Sequence, residues 1–179
     1  MSASNFSAHF TNFAEALAYD PEAPQTIYAG TRGEGVFKST DGGTSWAAAN
    51  LGMEAGWISC LAVDPSATQT VYAGTWDEGG YKSTAGGAGW FPINAGLPAG
   101  GDIQSLAIDP GSPQTIYAGT MHGIYKTTDG GNNWSVSGLN TAEYERAADM
   151  QLMAVDPENS ATVYAGAAGG QIYGSTDGG

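Results

Sequence analysis

The sequence predicts an all-β fold, a β-propeller of four four-stranded blades, and three observations predict it. First, Leu17-Ala18-Tyr19-Asp20-Pro21 returns as Leu61-Ala62-Val63-Asp64-Pro65, as Leu106-Ala107-Ile108-Asp109-Pro110 and as Met153-Ala154-Val155-Asp156-Pro157. The Asp-Pro pairs step by 44, 45 and 47 residues, a period that belongs to stacked supersecondary units. Second, each repeat holds short β-rich runs separated by turn residues, the content of one blade. Third, no segment carries convincing helical periodicity.

The first repeat shows the elements in order. Residues 15–19 form a short apolar-rich strand, which Asp20-Pro21 stops. Thr26-Ile27-Tyr28-Ala29-Gly30 is a second strand and Gly35-Val36-Phe37-Lys38-Ser39 a third. Thr40-Asp41-Gly42-Gly43 is a tight turn, and Trp46 opens a fourth strand, a role that Trp90 and Trp134 repeat. Blades are expected over residues 15–50, 59–94, 104–138 and 150–179. Their apolar residues alternate with period two, so each sheet packs on its neighbours through both faces.

The last repeat stops at Gly179, before its aromatic fourth strand. Ser4-Asn5-Phe6-Ser7-Ala8 matches Asn132-Asn133-Trp134-Ser135-Val136, with Phe6 where the tryptophan would be. Residues 4–10 are therefore expected to supply the outer strand of the fourth blade and close a four-bladed ring, which removes free edges. Two other assemblies fit the same repeats. One is half of an eight-bladed ring, with the N-terminal strand of each chain completing the last blade of the other in a homodimer. The other is a fragment of a larger propeller.

Glycine is 28 of 179 residues and recurs at matching places, as turn residues do. Acids outnumber bases 18 to 5, and a net charge of -13 repels nucleic acid and acidic membrane surfaces, so neither is an expected partner. The single cysteine, Cys60, allows no internal disulfide and reads as a small buried hydrophobe. No apolar stretch approaches the roughly 18 residues of a membrane span. Met1 is followed by small polar residues, without the basic and apolar segments of a signal peptide.

Ser39-Thr40-Asp41-Gly42-Gly43-Thr44-Ser45-Trp46 has a clear logic, and Thr127–Trp134 repeats it. Its glycines allow positive φ, and the Asp41 carboxylate can accept from backbone N–H groups of its own turn. The pattern resembles the Asp-box, or bacterial neuraminidase repeat. With the Asp-Pro, Tyr-Ala-Gly-Thr and Lys-Ser-Thr-Asp-Gly-Gly segments, the chain looks like blades of xyloglucanase-like glycoside hydrolases, sortilin-type receptor propellers and photosystem assembly factors. That resemblance implies a structural role, away from any active face, for Ser39, Asp41, Gly43, Trp46, Thr127, Asp129, Gly131, Trp134 and Asp177. It also favours an extracellular location. The second copy departs from the pattern at Ala85, so its turn should be the least well tied. These isolated carboxylates lack the dense oxygen ligands of a calcium loop, and no metal is expected there. Asp20, Asp64, Asp109 and Asp156 read as turn residues bonded to local backbone, although four acids around a central channel would also fit.

Strand order puts the Asp-Pro and Asp-box turns on one face and the loops after the second and fourth strands on the other. The first set is nearly uniform between copies; the second diverges. The divergent face carries the candidate ligand-binding residues Arg32, Glu34, Glu54, Trp57, Trp76, Asp77, Glu78, Asp102, His122, Tyr144 and Arg146. Aromatic planes beside carboxylates suit a sugar, with rings on its apolar faces and acids on its hydroxyls. A non-catalytic module that binds a glycan or a protein is the reading that follows. A glycoside hydrolase, or a piece of one, is the rival, and a purely structural or designed repeat the third.

A glycosidase needs two carboxylates about 5–5.5 or 6.5–9.5 Å apart, and Glu34, Glu54, Asp77, Glu78, Asp102, Glu143 and Glu145 leave the pair unassigned, so no residue is named catalytic. Arg32 and Arg146 alone cannot form the three-arginine cluster of sialidases in the resembled family. His9 and His122 belong to no metal-ligand spacing, and no phosphate loop or other cofactor motif appears.

Overall fold

Alternating apolar runs, each cut off by Asp-Pro or by glycine, form the strands. The computed structural model describes residues 13–54, 56–139 and 149–179. The expected closing strand at residues 4–10 and the candidates Glu143, Tyr144, Glu145 and Arg146 lie outside these, as does His9.

The described residues form four antiparallel sheets, each meandering from an inner to an outer strand. Blade one contains β1 (Ala14–Tyr19), β2 (Ile27–Thr31), β3 (Val36–Ser39) and β4 (Ala47–Ala48). Blade two contains β5 (Ile58–Val63), β6 (Val71–Thr75), β7 (Gly80–Ser83) and β8 (Phe91–Pro92). Blade three contains β9 (Ile103–Ile108), β10 (Ile116–Thr120), β11 (Gly123–Thr127) and β12 (Ser135–Val136). Blade four contains β13 (Met150–Val155), β14 (Val163–Ala167) and β15 (Ile172–Ser175), three strands among the described residues.

The core lies between blades. The back of blade one (Tyr28, Val36) meets the front of blade two (Ile58, Val71, Ala73, Trp90), and the arrangement repeats between blades two and three and between blades three and four. Gly30 permits the close approach this needs: a Cβ there would lie 2.5 Å from Ile58 Cγ2. Polar clasps recur at each step. Lys38, Lys82 and Lys126 Nζ donate to the carbonyls of Gly86, Gly130 and Gly178 in the next blade, at 2.9, 3.0 and 2.6 Å. Each ammonium also stands 5.3 Å from the ring centre of Tyr28, Tyr72 or Tyr117. Trp90 and Trp134 Nε1 reach back to the carbonyls of Ala49 and Ile93 in the preceding blade, at 2.7 and 2.8 Å.

The described blades pack in sequence. Inner strand β1 packs on β5, β5 on β9 and β9 on β13, but no comparable packing returns β13 to β1. Tyr28, Tyr72 and Tyr117 are buried to 0–1%, whereas the matching Tyr164 of blade four is 50% exposed. On the front of blade one, Leu17 and Tyr19 are 70% and 63% exposed. Among the described residues, the first and last blades of the row thus each carry an exposed apolar face.

Cys60 Sγ packs among apolar neighbours while the residue keeps some accessible surface. Burial of the sulfur pushes its thiol up to about 12, so it stays protonated and inert at neutral pH.

Candidate functional site

The two loop faces differ in what their polar groups do. On the uniform face, Asp41 accepts from Ser45 N and Ser45 Oγ at 2.9 and 2.6 Å and from Ser39 Oγ at 2.8 Å. Asp129 accepts likewise from Asn133 N, Asn133 Nδ2 and Thr127 Oγ1. Gly42 and Gly43 turn the chain at φ 69° and 90°. The side chains of Ser45 and Asn133, then their backbone N–H groups, hold Asp41 and Asp129 down to about 2. Asp177 is lowered by Ser175 and the Gly179 N–H. The second turn keeps its serine bonds, Ser83 Oγ accepting from Ala85 N and Gly87 N, but Ala85 supplies no carboxylate. Asp20, Asp64 and Asp156 accept from backbone N–H groups two residues on, as does Asp109, which Ser160 Oγ also reaches.

On the divergent face the contacts cross between blades. Arg32 and Trp57 form an isolated antiparallel bridge, and Trp76 N donates to Trp57 O at 3.0 Å. These backbone links stack three side chains. The Arg32 guanidinium lies 3.7 Å from the Trp57 ring centre, and the Trp76 ring is stacked on Trp57 at 4.9 Å with 18° between planes. Guanidinium and indole cannot share one side of the Trp57 ring, so Trp57 is sandwiched. Trp76, 40% exposed, is the outer indole of the stack.

Glu15 ties this stack together, its Oε1 2.7 Å from Arg32 and its Oε2 accepting from Trp57 Nε1 at 2.6 Å. The sequence reading missed Glu15. It is the extra residue of a β-bulge between Ala14 and Ala16, and a bulge re-aims a side chain without any trace in an alternating pattern.

A second group sits on blade three. Asp102 is fully buried; Gln104 Nε2 donates to its Oδ2 at 3.4 Å, while Oδ1 has no hydrogen-bond partner. Half-exposed His122 faces that oxygen, Nδ1 to Oδ1 3.9 Å. Asp77 and Glu78 line a hollow with Leu97 and residues 98–101. Glu78 also accepts from Tyr81 Oη at 3.1 Å, and Glu54 lies near enough to help raise that phenol's pKa, after burial and Glu78 itself. Glu34 is tied through its backbone, its carbonyl accepting from Asn50 Nδ2 at 2.9 Å. The structure thus gathers Arg32, Trp57 and Trp76 in one group and Asp102 and His122 in another.

One position links the two groups. The residue just before each inner strand is Phe13, Trp57, Asp102 and Asp149 in successive blades. Asp149 Oδ1, like Asp102 Oδ1, is buried without a partner, which is costly unless something else meets it. The rim of the divergent face is therefore aromatic over two blades and acidic over the next two. Aligning the four repeats at the strand head is the signal that would have found Phe13 and Asp149. Among the described residues no cluster of three or more His, Cys, Asp or Glu could hold a metal ion.

No family model matches the sequence, and no curated protein matches it. Solved structures do. The GH74 xyloglucanase from Xanthomonas campestris is 23% identical with a TM-score of 0.73, over 94% of this chain and 29% of that one. The GH74 enzyme of Niastella koreensis is 26% identical with a TM-score of 0.72, over 90% of this chain and 28% of that one. YCF48 from Cyanidioschyzon merolae is 17% identical with a TM-score of 0.60, over 86% of this chain and 52% of that one. The chain thus has the fold of propeller segments found in these proteins and spans less than a third of either GH74 chain.

Proposed function

We propose that this chain forms a glycan-binding wall of a propeller, with Trp76 as its stacking platform. The observation that carries this is the Arg32–Trp57–Trp76 stack, braced by Glu15 on the face where the repeats diverge. A braced indole loses little freedom when a ligand stacks on it. The C–H face of a sugar ring suits such a surface, and the acidic rim beyond it supplies acceptors for hydroxyls. A net charge of -13 favours neutral sugars over uronic or sialic acids.

A second reading, that the chain is a segment of a glycoside hydrolase, is favoured by its likeness to the GH74 structures. The two readings part at catalysis. Titration with neutral xyloglucan oligosaccharides, alongside a sialylated oligosaccharide, tests binding. Saturable binding of the neutral set alone supports the glycan wall; equal response to both, or none, contradicts it. Release of new reducing ends from xyloglucan by this chain would favour the hydrolase reading.

A further inference from the structure

We propose that the exposed apolar faces of the first and last blades are a matched pair, and that the back of blade four stacks on the front of blade one of a second copy of this chain. This inference is independent of the glycan reading, because it concerns the faces of the outermost blades rather than the divergent loop face.

The three internal interfaces state the rule. In each, a small residue on the back of one inner strand (Ala16, Cys60, Ser105) lies opposite a large one at the front of the next (Ile58, Ile103, Met150). At Gly30 the seat over the second strand is filled by Ile58 of the next blade; at Gly74 and Gly119 it is filled by Ile103 and Met150. The two exposed faces carry the same pair with sizes exchanged. The back of blade four has large Leu152 where the others have Ala, Cys or Ser, and the front of blade one has small Ala14 where the others have Ile or Met. Over Gly166 the seat is already occupied by Leu152 of the same blade, 3.4 Å from where a Cβ would lie. An incoming Ile or Met would collide with Leu152; Ala14 leaves room for it. Total volume is kept, as close packing requires.

The remaining surfaces match the internal interfaces in kind. Leu152, Tyr164 and Ile172, exposed at 70, 50 and 81%, form an apolar hollow where blades one to three bury their counterparts, apart from the half-buried Cys60. Leu17 and Tyr19 occupy the positions of Leu61 and Val63, which pack against blade one inside the chain. One element is missing. Gly174 stands where Lys38, Lys82 and Lys126 reach the next blade, so the Gly42 carbonyl of the second copy receives no lysine. The intermolecular step is therefore weaker than the internal ones. Because the two faces are different surfaces, the contact is head-to-tail, and two copies can close a ring of eight blades.

Light scattering and sedimentation equilibrium from micromolar to millimolar chain concentration test this. The expected result is a concentration-dependent species of twice the 18.2 kDa chain mass or a head-to-tail multiple of it, favoured by added salt, which screens the like charges. Leu17→Asp and Tyr164→Asp alter exposed side chains, and circular dichroism checks that both fold. Each alone should abolish ring closure, while an equimolar mixture should form a two-chain species through its one intact contact. Ala14→Ile or Leu152→Ala alone should weaken association about tenfold, and the pair together should restore it to within about threefold. Gly174→Lys should tighten it. A single-chain mass throughout, or a mixture that fails to recombine, overturns the proposal.

Discussion

The two loop faces use the same kinds of residue for opposite ends. On the uniform face, Asp41 and Asp129 spend their carboxylate oxygens on their own turns. On the divergent face, Asp102 and Asp149 each bury an oxygen with no hydrogen-bond partner among the described residues. Tryptophan divides the same way. Trp90 and Trp134 are buried and bonded to the preceding blade, whereas Trp76 stacks on Trp57 and stays 40% exposed. A residue type says little about function here; whether its bonding capacity is already satisfied says a great deal.

The sharpest way to break the comparison is to delete one tryptophan from each face. Trp90→Ala opens a cavity between blades and removes the bond to Ala49 O, so it should cost about 3–5 kcal/mol in chemical denaturation. Trp46, partly exposed and bonded within its own turn to Gly43 O at 3.0 Å, should cost much less. Trp76→Ala removes one surface stacking contact and should cost about 1 kcal/mol, well below Trp90→Ala. It should weaken oligosaccharide binding by about 2 kcal/mol, roughly thirtyfold, measured by calorimetry.

Smaller effects sharpen the uniform face. Asp129→Ala should lower the melting temperature, because three donors lose their acceptor. Ala85→Asp should raise it by offering a carboxylate to the Gly89 N–H, the counterpart of Ser45 N. The gain should be partial, since Gly89 has no side chain to donate a second bond.

The smallest effect is on acid stability. The folded values of Asp41 and Asp129, about 2, lie below their ordinary 3.8. Their contribution is complete above about pH 4 and is lost as pH falls through 2. Denaturation curves at a series of pH values should show this loss, and Asp41→Asn with Asp129→Asn should flatten it.

Much of the architecture was legible because it repeats. Asp-Pro, the β-rich runs and the tryptophans recur in register, and each marks a strand or a turn that the structure contains. The exposed faces of the outermost blades were not legible, because Leu17 and Leu61 are the same residue at the same position, yet one faces solvent and the other a neighbouring blade. Exposure there depends on what stands beyond the sheet, which no local pattern encodes. Within the site, loop divergence pointed to Arg32, Trp57 and Trp76 but not to their stacking. Glu15 was hidden by a bulge, and Asp149 by its place at a strand head.

The most direct test reads both faces at once. The chain has five tryptophans, and each indole N–H gives its own signal in a nitrogen-15 correlation spectrum. Titration with a neutral xyloglucan oligosaccharide should shift the signals of Trp57 and Trp76 and leave those of Trp46, Trp90 and Trp134 in place. Shifts confined to the latter three, or none at saturating sugar, would contradict the assignment of binding to the divergent face.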